Sequence, residues 1–499
     1  MASRRIRAFK RWMSSNEIEF SDALEFVETE NSGICVKSKC DLNEGDLIAT
    51  IPKNSCLTIR TSGASDLIAG YDLDGCLGLC VAVMYERTLG LMSPWAGYLQ
   101  ILPEFEPLPF VWSLDDIDRF LCGTELHQTV KEDKTLIYED WKESILPLIH
   151  STEFSLDANS FGVEDYFAAK SLVASRSFQI DDYHGCGMVP LADLFNHKTG
   201  AEDVHFTLAP SPSESDDEGE SVSDDENDRN NKFETATKAN GPLDALVVLS
   251  PSKGTDLDFE EKPDNPPVLE MILVKDVKVG SEVFNTYGLM GNAALLHRYG
   301  FTEMDNPYDI VNIDLKLVLQ WSASLFSSRH GRARLALWRK LGYSGCESQN
   351  AEYFEISYDG EPQFELLILL YVILLNEETY IKLDFSVAFK GNFTSNMSKN
   401  RIFEGDISEM SGEMLLTKSV CKALLLLADM RELLYGTSSL QDDMENLQKC
   451  DCNSERKLYH SLVLRISERK IIQRLRNYVK AGIRSLDKAR TLSRKRLKS

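Results

Sequence analysis

Two short strings hold the side chains best suited to chemistry: Asp193-Leu194-Phe195-Asn196-His197 and Glu282-Val283-Phe284-Asn285-Thr286-Tyr287-Gly288. Upstream stands Asn31-Ser32-Gly33-Ile34-Cys35-Val36, and Tyr299 follows within His297-Arg298-Tyr299-Gly300-Phe301. Singly, each has an ordinary structural explanation. Asn196-His197 reads as a turn with a satisfied histidine, and Tyr287 and Tyr299 read as half-buried aromatics whose hydroxyls bond to backbone. Their combination and order turn the balance toward a functional site. A tyrosine hydroxyl, with an ordinary pKa of about 10, is an orienting hydrogen-bond partner and electrostatic stabiliser before it is a base. The 11 cysteines are scattered without paired Cys-x-x-Cys clusters. No structural zinc is therefore expected, and the odd number argues against a full disulfide framework; most are expected to be buried reduced thiols of a cytosolic or nuclear protein.

The elements that must position these residues are legible in outline. A chain of 499 residues, 43% hydrophobic, has room for two or three domains with real cores. No uninterrupted apolar run reaches the roughly 20 residues that cross a bilayer, so no membrane span is expected. Met1 to Met13 carries Arg4, Arg5, Arg7, Lys10 and Arg11 with no acid, as transit peptides do, but Phe9, Trp12 and Met13 fall at helical spacing and predict a folded first helix. Short strands and turns follow from Gly33 to Ile59: Cys35-Val36, a turn at Asn43-Glu44-Gly45-Asp46, then Leu47 to Ile51, stopped by Pro52. From Leu73 to Phe178 the period is helical. Ser113 is an N-cap with Asp116 three residues on, Leu114, Ile117, Phe120 and Leu121 share a face, and a helix near Val163 to Val173 delivers Ser175-Arg176-Ser177-Phe178. Strand character returns at Leu246 to Leu249, at Val268 to Val274 and, after a turn at Gly280, at Glu282 to Phe284.

After Pro307 helices take over. Leu366 to Leu375 is apolar on nearly every side, and Val420 to Tyr435 is a Leu-rich helix closed by Gly436. Leu458, Leu462, Ile466, Ile471, Leu475 and Val479 trace one stripe along a long helix with a basic opposite face. The net charge of −24 disfavours a nucleic-acid binder. Much of the acid sits in Ser211 to Asn231, which has almost nothing apolar to bury and reads as a disordered acidic loop continuing toward Pro267. The basic end, Lys488, Arg490, Arg494, Lys495, Arg496 and Lys498, reads equally as a nuclear address or a solvated terminus.

As a set, these motifs resemble the SET-domain lysine methyltransferase group that includes the Rubisco large-subunit methyltransferase, the ribosomal-protein lysine methyltransferases of fungi and SET-domain-containing protein six. The resemblance covers most of the chain. It implies an α+β fold: a β-rich SET domain over residues 1–305 with a knot-like C-terminal segment, a helical insertion at about 73–175 and the acidic loop at about 209–266. An all-α substrate-binding domain over 306–499 would replace the cysteine-rich segment found in other SET proteins.

By position, Gly33, Ile34 and Cys35 would offer backbone groups to the amino-acid end of S-adenosylmethionine. Asn31 stands where the family has its first glycine, tolerable because Asn visits positive φ more readily than most residues. Arg176 would fork onto the cofactor carboxylate. Asn196 and His197 would hold the methionine moiety and adenine, Tyr299 would stand at the cofactor side and Tyr287, the catalytic residue, at the methyl-transfer channel. Gln179 and Leu191 to Asp193 would line the mouth for the target lysine, and no metal is implied.

The implied reaction is attack of a neutral lysine amine on the cofactor methyl group, so the protein must align two partners and obtain a deprotonated lysine. A unit charge about 5 Å away at an effective dielectric of about 20 opposes the ammonium by roughly 3 kcal/mol. That lowers the amine pKa by on the order of 2 units. The expected activity is protein-lysine N-methylation of a non-histone protein such as a ribosomal protein, by a monomer resident in nucleus or cytoplasm. Alternatives are a protein-histidine methyltransferase of the same fold and a non-catalytic protein-binding scaffold. Substrate choice is assigned to the helical region, with Arg469, Arg476 and Lys480 as exposed contacts. Deleting Ser211 to Asn231 is expected to leave the melting temperature nearly unchanged, because loop length enters stability only logarithmically; a large drop by calorimetry would show that the segment packs.

Overall fold

The computed structural model describes residues 3–29, 33–150, 158–208, 268–343, 352–383 and 412–496. Asn31, the acidic stretch Ser211 to Asn231, the apolar run Leu246 to Leu249 and Lys498 lie outside the described residues. The chain forms two compact units. The first comprises Met1–Ser113, Val130–Met290 and Ala294–Gly300; the second comprises Leu114–Thr129, Gly291–Ala293 and Phe301–Ser499. The second unit thus includes a stretch inside the expected helical insertion.

In the first unit the basic N-terminal stretch is a helix, Arg4–Ser15, capped by the Ser3 hydroxyl and burying Ile6, Phe9 and Met13. The strands are β1 (Glu19–Phe20), β2 (Leu24–Thr29), β3 (Gly33–Ser38), β4 (Leu47–Pro52), β5 (Leu57–Thr58), β6 (Ser177–Asp181), β7 (Gly185–Met188), β8 (Val204–Leu208) and β9 (Val268–Leu273). They make three antiparallel sheets ordered β1-β4-β9-β8, β2-β3 and β5-β7-β6. β9 shows the two-residue alternation of a half-buried strand, with Leu269, Met271 and Leu273 inward. The turn before β4 is closed by the Asp46 carboxylate accepting the Asn43 N–H at 2.8 Å, with Gly45 at φ +87°.

Between β5 and β6 the chain is helical. Helix Gly75–Leu89 packs against helix Val163–Arg176 and β7. By length and composition Gly75–Met92 is apolar enough to cross a membrane, but Leu79 to Met84 are buried within this unit. A Cβ at Gly78 would stand 2.9 Å from the Leu73 carbonyl, so the close approach there requires glycine.

The expected strand at Glu282 to Phe284 is instead an irregular segment with isolated bridges. Val283 donates to Val36 O at 2.9 Å, Phe284 to the Asp203 carboxylate at 2.9 Å, and Asn285 to Asn196 O at 2.9 Å. Each successive amide serves a different partner, so no ladder can propagate.

The second unit is mainly helical around a small hairpin, β10 (Val311–Asp314) with β11 (Tyr353–Ile356). Helix Phe364–Leu374 buries residues on every face, as its unbroken apolar sequence predicts. Helix Lys418–Leu433 is followed by Gly436 at φ +85°. The final helix, Arg456–Arg496, buries Leu462, Ile466, Ile471, Leu475 and Val479.

Its basic face differs from expectation. Arg469 is 4% exposed, bonded to Glu432 (2.7 Å), Asp443 (2.5 Å) and Ser438 O (2.7 Å), and Arg476 pairs with Asp429 at 2.9 Å. Of the three residues assigned to substrate contact, only Lys480 is exposed. Helices Lys418–Leu433 and Leu440–Lys449 supply the acids that consume this face.

Arg431 is enclosed in the same way. It donates to Gly123 O (2.7 Å), Asn312 O (3.1 Å) and Glu125 (3.1 Å), and pairs with Glu468 at 3.5 Å. Glu468 also accepts from the Tyr435 hydroxyl (2.6 Å) and the Glu125 N–H (3.0 Å). Burial nevertheless pushes its carboxyl up to about 8, against the pull of Arg431. Removing one partner of a buried pair leaves an uncompensated charge, so Arg431→Ala should destabilise the second unit by about 3–5 kcal/mol, read as a lower urea midpoint. A raised carboxyl pKa favours the folded state at low pH, and that contribution is lost as pH rises from the usual 4.5 through about 8. Glu468→Gln should therefore flatten the decline of stability across this window.

Candidate active site

Strand and turn geometry bring the two strings together in the first unit. Leu191, at φ +76°, turns the chain into the short 3-10 segment Ala192–Leu194, which leads to Phe195, Asn196 and His197. A non-glycine residue in that region is held there by its surroundings. His197 and Asn285 then run side by side as a parallel bridge. The Asn196 side-chain amide donates to Glu282 at 2.7 Å, and the Asn285 carboxamide oxygen accepts the Thr286 N–H at 2.8 Å.

Tyr287 is fixed at three points. Its N–H donates to His197 Nδ1 at 3.0 Å, its hydroxyl donates to Phe195 O at 3.2 Å, and its ring stacks on the His197 ring with centroids 5.1 Å apart. Because Nδ1 accepts, it carries no proton, which sets the imidazole tautomer and leaves Nε2 beside Thr199 Oγ1 at 3.3 Å. Tyr299 completes the column, with its ring centroid 4.4 Å from that of Tyr287. It lies in the last turn of helix Asn292–Tyr299, which ends at Gly300 with φ +74°. Burial raises the Tyr287 hydroxyl above its ordinary range, with Tyr299 adding to the effect, and burial pushes Tyr299 up to about 12. Both hydroxyls are therefore protonated donors at neutral pH.

A second group forms around Arg176, where helix Val163–Arg176 passes into β6. Its Nε donates to Glu106 at 2.6 Å, and its Nη1 donates to Asp193 O at 3.1 Å and lies 3.4 Å from Asp193 Oδ2. The Tyr98 hydroxyl donates to the same Oδ2 at 2.8 Å. The fork expected to serve a ligand is thus half spent. Arg176 Nη2 makes no bond among the described residues, and 18% of the side chain is exposed.

Asp193, expected to line the lysine mouth, belongs to this group around Arg176. Its side chain is fully enclosed, and burial, opposed by Arg176 and Tyr98, pushes its carboxyl up to about 6. Its fixed contacts make it a brace for Arg176. Gln179 lies on β6 opposite Cys186, and among the described residues its side chain bonds to Asp181 O, at 3.4 Å, and not to the tyrosine column.

Gly33, Ile34 and Cys35 open β3, which pairs with β2 on one edge. On the other edge the Gly280 to Val283 segment bonds to β3 only from Val36 onward. Gly33 has φ +76°, and a Cβ there would meet open space. Burial, then Glu282, raises the Cys35 thiol. Sequence reading did not single out Tyr98 and Glu106, which lie 95 and 70 residues from the groups they hold and carry no local signal. Among the described residues no group of three or more His, Cys, Asp or Glu side chains is placed to hold a metal ion.

No family model matches the sequence. Ribosomal lysine N-methyltransferase 3 of Saccharomyces cerevisiae is 27% identical over 393 residues, spanning 68% of this chain and 69% of that protein. N-lysine methyltransferase setd6 of Salmo salar is 27% identical over 338 residues, spanning 63% of this chain and 61% of that protein. A solved structure of Rubisco LSMT bound to sinefungin and monomethyllysine shares the fold, with a TM-score of 0.60 and 17% identity over 98% of this chain and 94% of that one. Both motif strings meet at one site on this fold, and in sequence and fold the chain is similar to the SET-domain lysine methyltransferase group.

Proposed function

We propose that this protein is an S-adenosylmethionine-dependent protein-lysine N-methyltransferase acting on a non-histone protein, with a ribosomal protein as the substrate class suggested by the yeast relative. The observation that carries this is the fixed placement of Tyr287, bonded through its backbone to His197, its ring stacked on His197 and tilted 33° against Tyr299, and turned by its hydroxyl toward Phe195 O.

The residues present fit the cofactor. The edge of β3 at Gly33 to Cys35 that faces away from β2, the Nη2 of Arg176, unengaged among the described residues, and the paired Asn196-His197 together offer donors and acceptors to an amino-acid end and a purine. When bound, S-adenosylmethionine supplies the methyl group and a positive sulfonium. The Phe195 carbonyl and the Tyr287 hydroxyl oxygen both accept hydrogen bonds, so an incoming lysine amine that donates its N–H groups to them keeps its lone pair turned away and available. Tyr287, held protonated by burial, orients this amine and does not act as its base.

The Ser281 to Tyr287 segment, whose consecutive amides reach β3, Asp203 and Asn196, serves as the knot-like crossing of the fold. The second unit, whose helices offer a broad surface, holds the protein substrate. Residence in nucleus or cytoplasm is supported by the basic run from Lys488 and by the free thiols among the described residues.

Calorimetry should detect binding of S-adenosylmethionine, and transfer of labelled methyl from it in cell extract should mark a lysine on a discrete protein. Tyr287→Phe should retain cofactor affinity within about twofold while kcat falls at least about tenfold, a loss of roughly 1.4 kcal/mol in transition-state stabilisation. A variant that turns over at the parent rate would remove Tyr287 from the mechanism. Label on histidine in place of lysine would overturn the substrate assignment.

A further inference from the structure

We propose that Tyr98 and Glu106, from the helical segment between β5 and β6, are positioning residues for the cofactor's α-carboxylate: with Asp193 they clamp Arg176 and leave one edge of its guanidinium for that ligand. The proposal rests on the methyltransferase function given above.

A guanidinium has five N–H groups in a rigid fork. Here the Nε hydrogen is taken by Glu106 at 2.6 Å and the Nη1 hydrogens face the Asp193 carbonyl and carboxylate at 3.1 and 3.4 Å. Only Nη2 is left without a bond to a described residue. An arginine held in this way has already surrendered the rotamer freedom that a free side chain would lose on gripping a carboxylate. The clamp therefore appears in ligand affinity and not in the chemical step.

The braces are themselves built in. Tyr98 is fully buried and gives its hydroxyl to Asp193 Oδ2 at 2.8 Å, while Asp193 Oδ1 has no partner among the described residues. Tyr98 and Arg176 are thus the two donors that hold an enclosed carboxylate in place. Glu106 is buried and anchored through its N–H to Ser171 Oγ at 2.9 Å. Glu106 and Asp193 together carry one more negative charge than Arg176 neutralises. Such a site accepts the amino-acid end of the cofactor, which brings its own α-ammonium, in preference to a simple anion. None of Tyr98, Glu106 or Asp193 has to touch the ligand for this effect.

The test compares two probes by calorimetry on the full chain: S-adenosylhomocysteine, which carries the amino-acid end, and 5′-methylthioadenosine, which lacks it. The parent should bind the first far more tightly than the second. Tyr98→Phe, which deletes one hydroxyl and keeps the ring, should weaken S-adenosylhomocysteine about three- to thirtyfold while leaving methylthioadenosine within about twofold. Under turnover the KM for S-adenosylmethionine should rise with kcat nearly constant.

Should Tyr98→Phe fail to fold, Glu106→Gln and Glu106→Ala carry the same comparison. The Gln variant retains an acceptor for Nε and should lose less affinity than the Ala variant. Equal losses for both probes would mean that these residues only support the fold, and the proposal would fall; unchanged binding of both would also overturn it. A parent that binds neither probe would instead refute the methyltransferase function itself. A parent that binds both equally would show that Arg176 does not read the carboxylate and would sink the positioning role alone.

Discussion

A single backbone hydrogen bond, from Asn285 N–H to Asn196 O, closes the junction on which the rest of the site depends. It sets the two motif strings in parallel, one residue beside the next, so that His197 meets Asn285 and each later residue falls at a fixed offset. Tyr287 is then two residues beyond the bridge, which puts its N–H on His197 Nδ1 and its ring against the imidazole. Glu282 is three residues before it, within reach of the Asn196 amide. Slipping this register by one residue would take the Tyr287 N–H away from His197 Nδ1 and Glu282 away from the Asn196 amide. The junction is made within irregular backbone whose amides are satisfied one by one by β3, Asp203 and Asn196, which is how a non-ladder segment can be buried.

Enclosure then sets the electrostatics. The tyrosine hydroxyls remain protonated because burial penalises the phenolate, so the site presents donors and a polarisable column of rings. The cation nearby is divided between obligations: two of the three guanidinium nitrogens of Arg176 face Glu106 and Asp193. A charge held on one edge and open on the other is directional, and directionality is what separates ligand recognition from simple attraction.

The second unit uses arginine differently. Arg431 and Arg469 are enclosed and saturated by carboxylates and carbonyls, tying Lys418–Leu433, Leu440–Lys449 and the long final helix into one body. Tyr435 lies among them, with Arg431, Arg465 and Arg469 all within 5.6 Å of its ring centroid. Buried pairs of this kind contribute little net stability against an apolar alternative, but breaking one is strongly destabilising, so they fix helix packing more than they strengthen it.

What the sequence by itself determined were features that local periodicity or a contiguous string can encode. The all-round apolar helix Phe364–Leu374, the buried stripe Leu462 to Val479, the turn at Asn43 to Asp46 and the amphipathic first helix are of this kind, and so is the presence of both motif strings. The 3.6-residue and two-residue periods report which side of an element is apolar, and the interior takes that side. Tertiary structure alone decided which polar groups face one another. Arg469 reads as a solvated basic residue until the acids of two other helices are set against it, and nothing beside Asp193 in sequence announces that Tyr98, 95 residues earlier, donates to it. Glu282 to Phe284 reads as a strand until its amides are drawn to three separate partners. A charge or a hydrogen-bonding group has no preferred side of its own; its burial becomes favourable only when a partner arrives from a distant part of the chain, and that partner's identity is not written in the neighbouring residues.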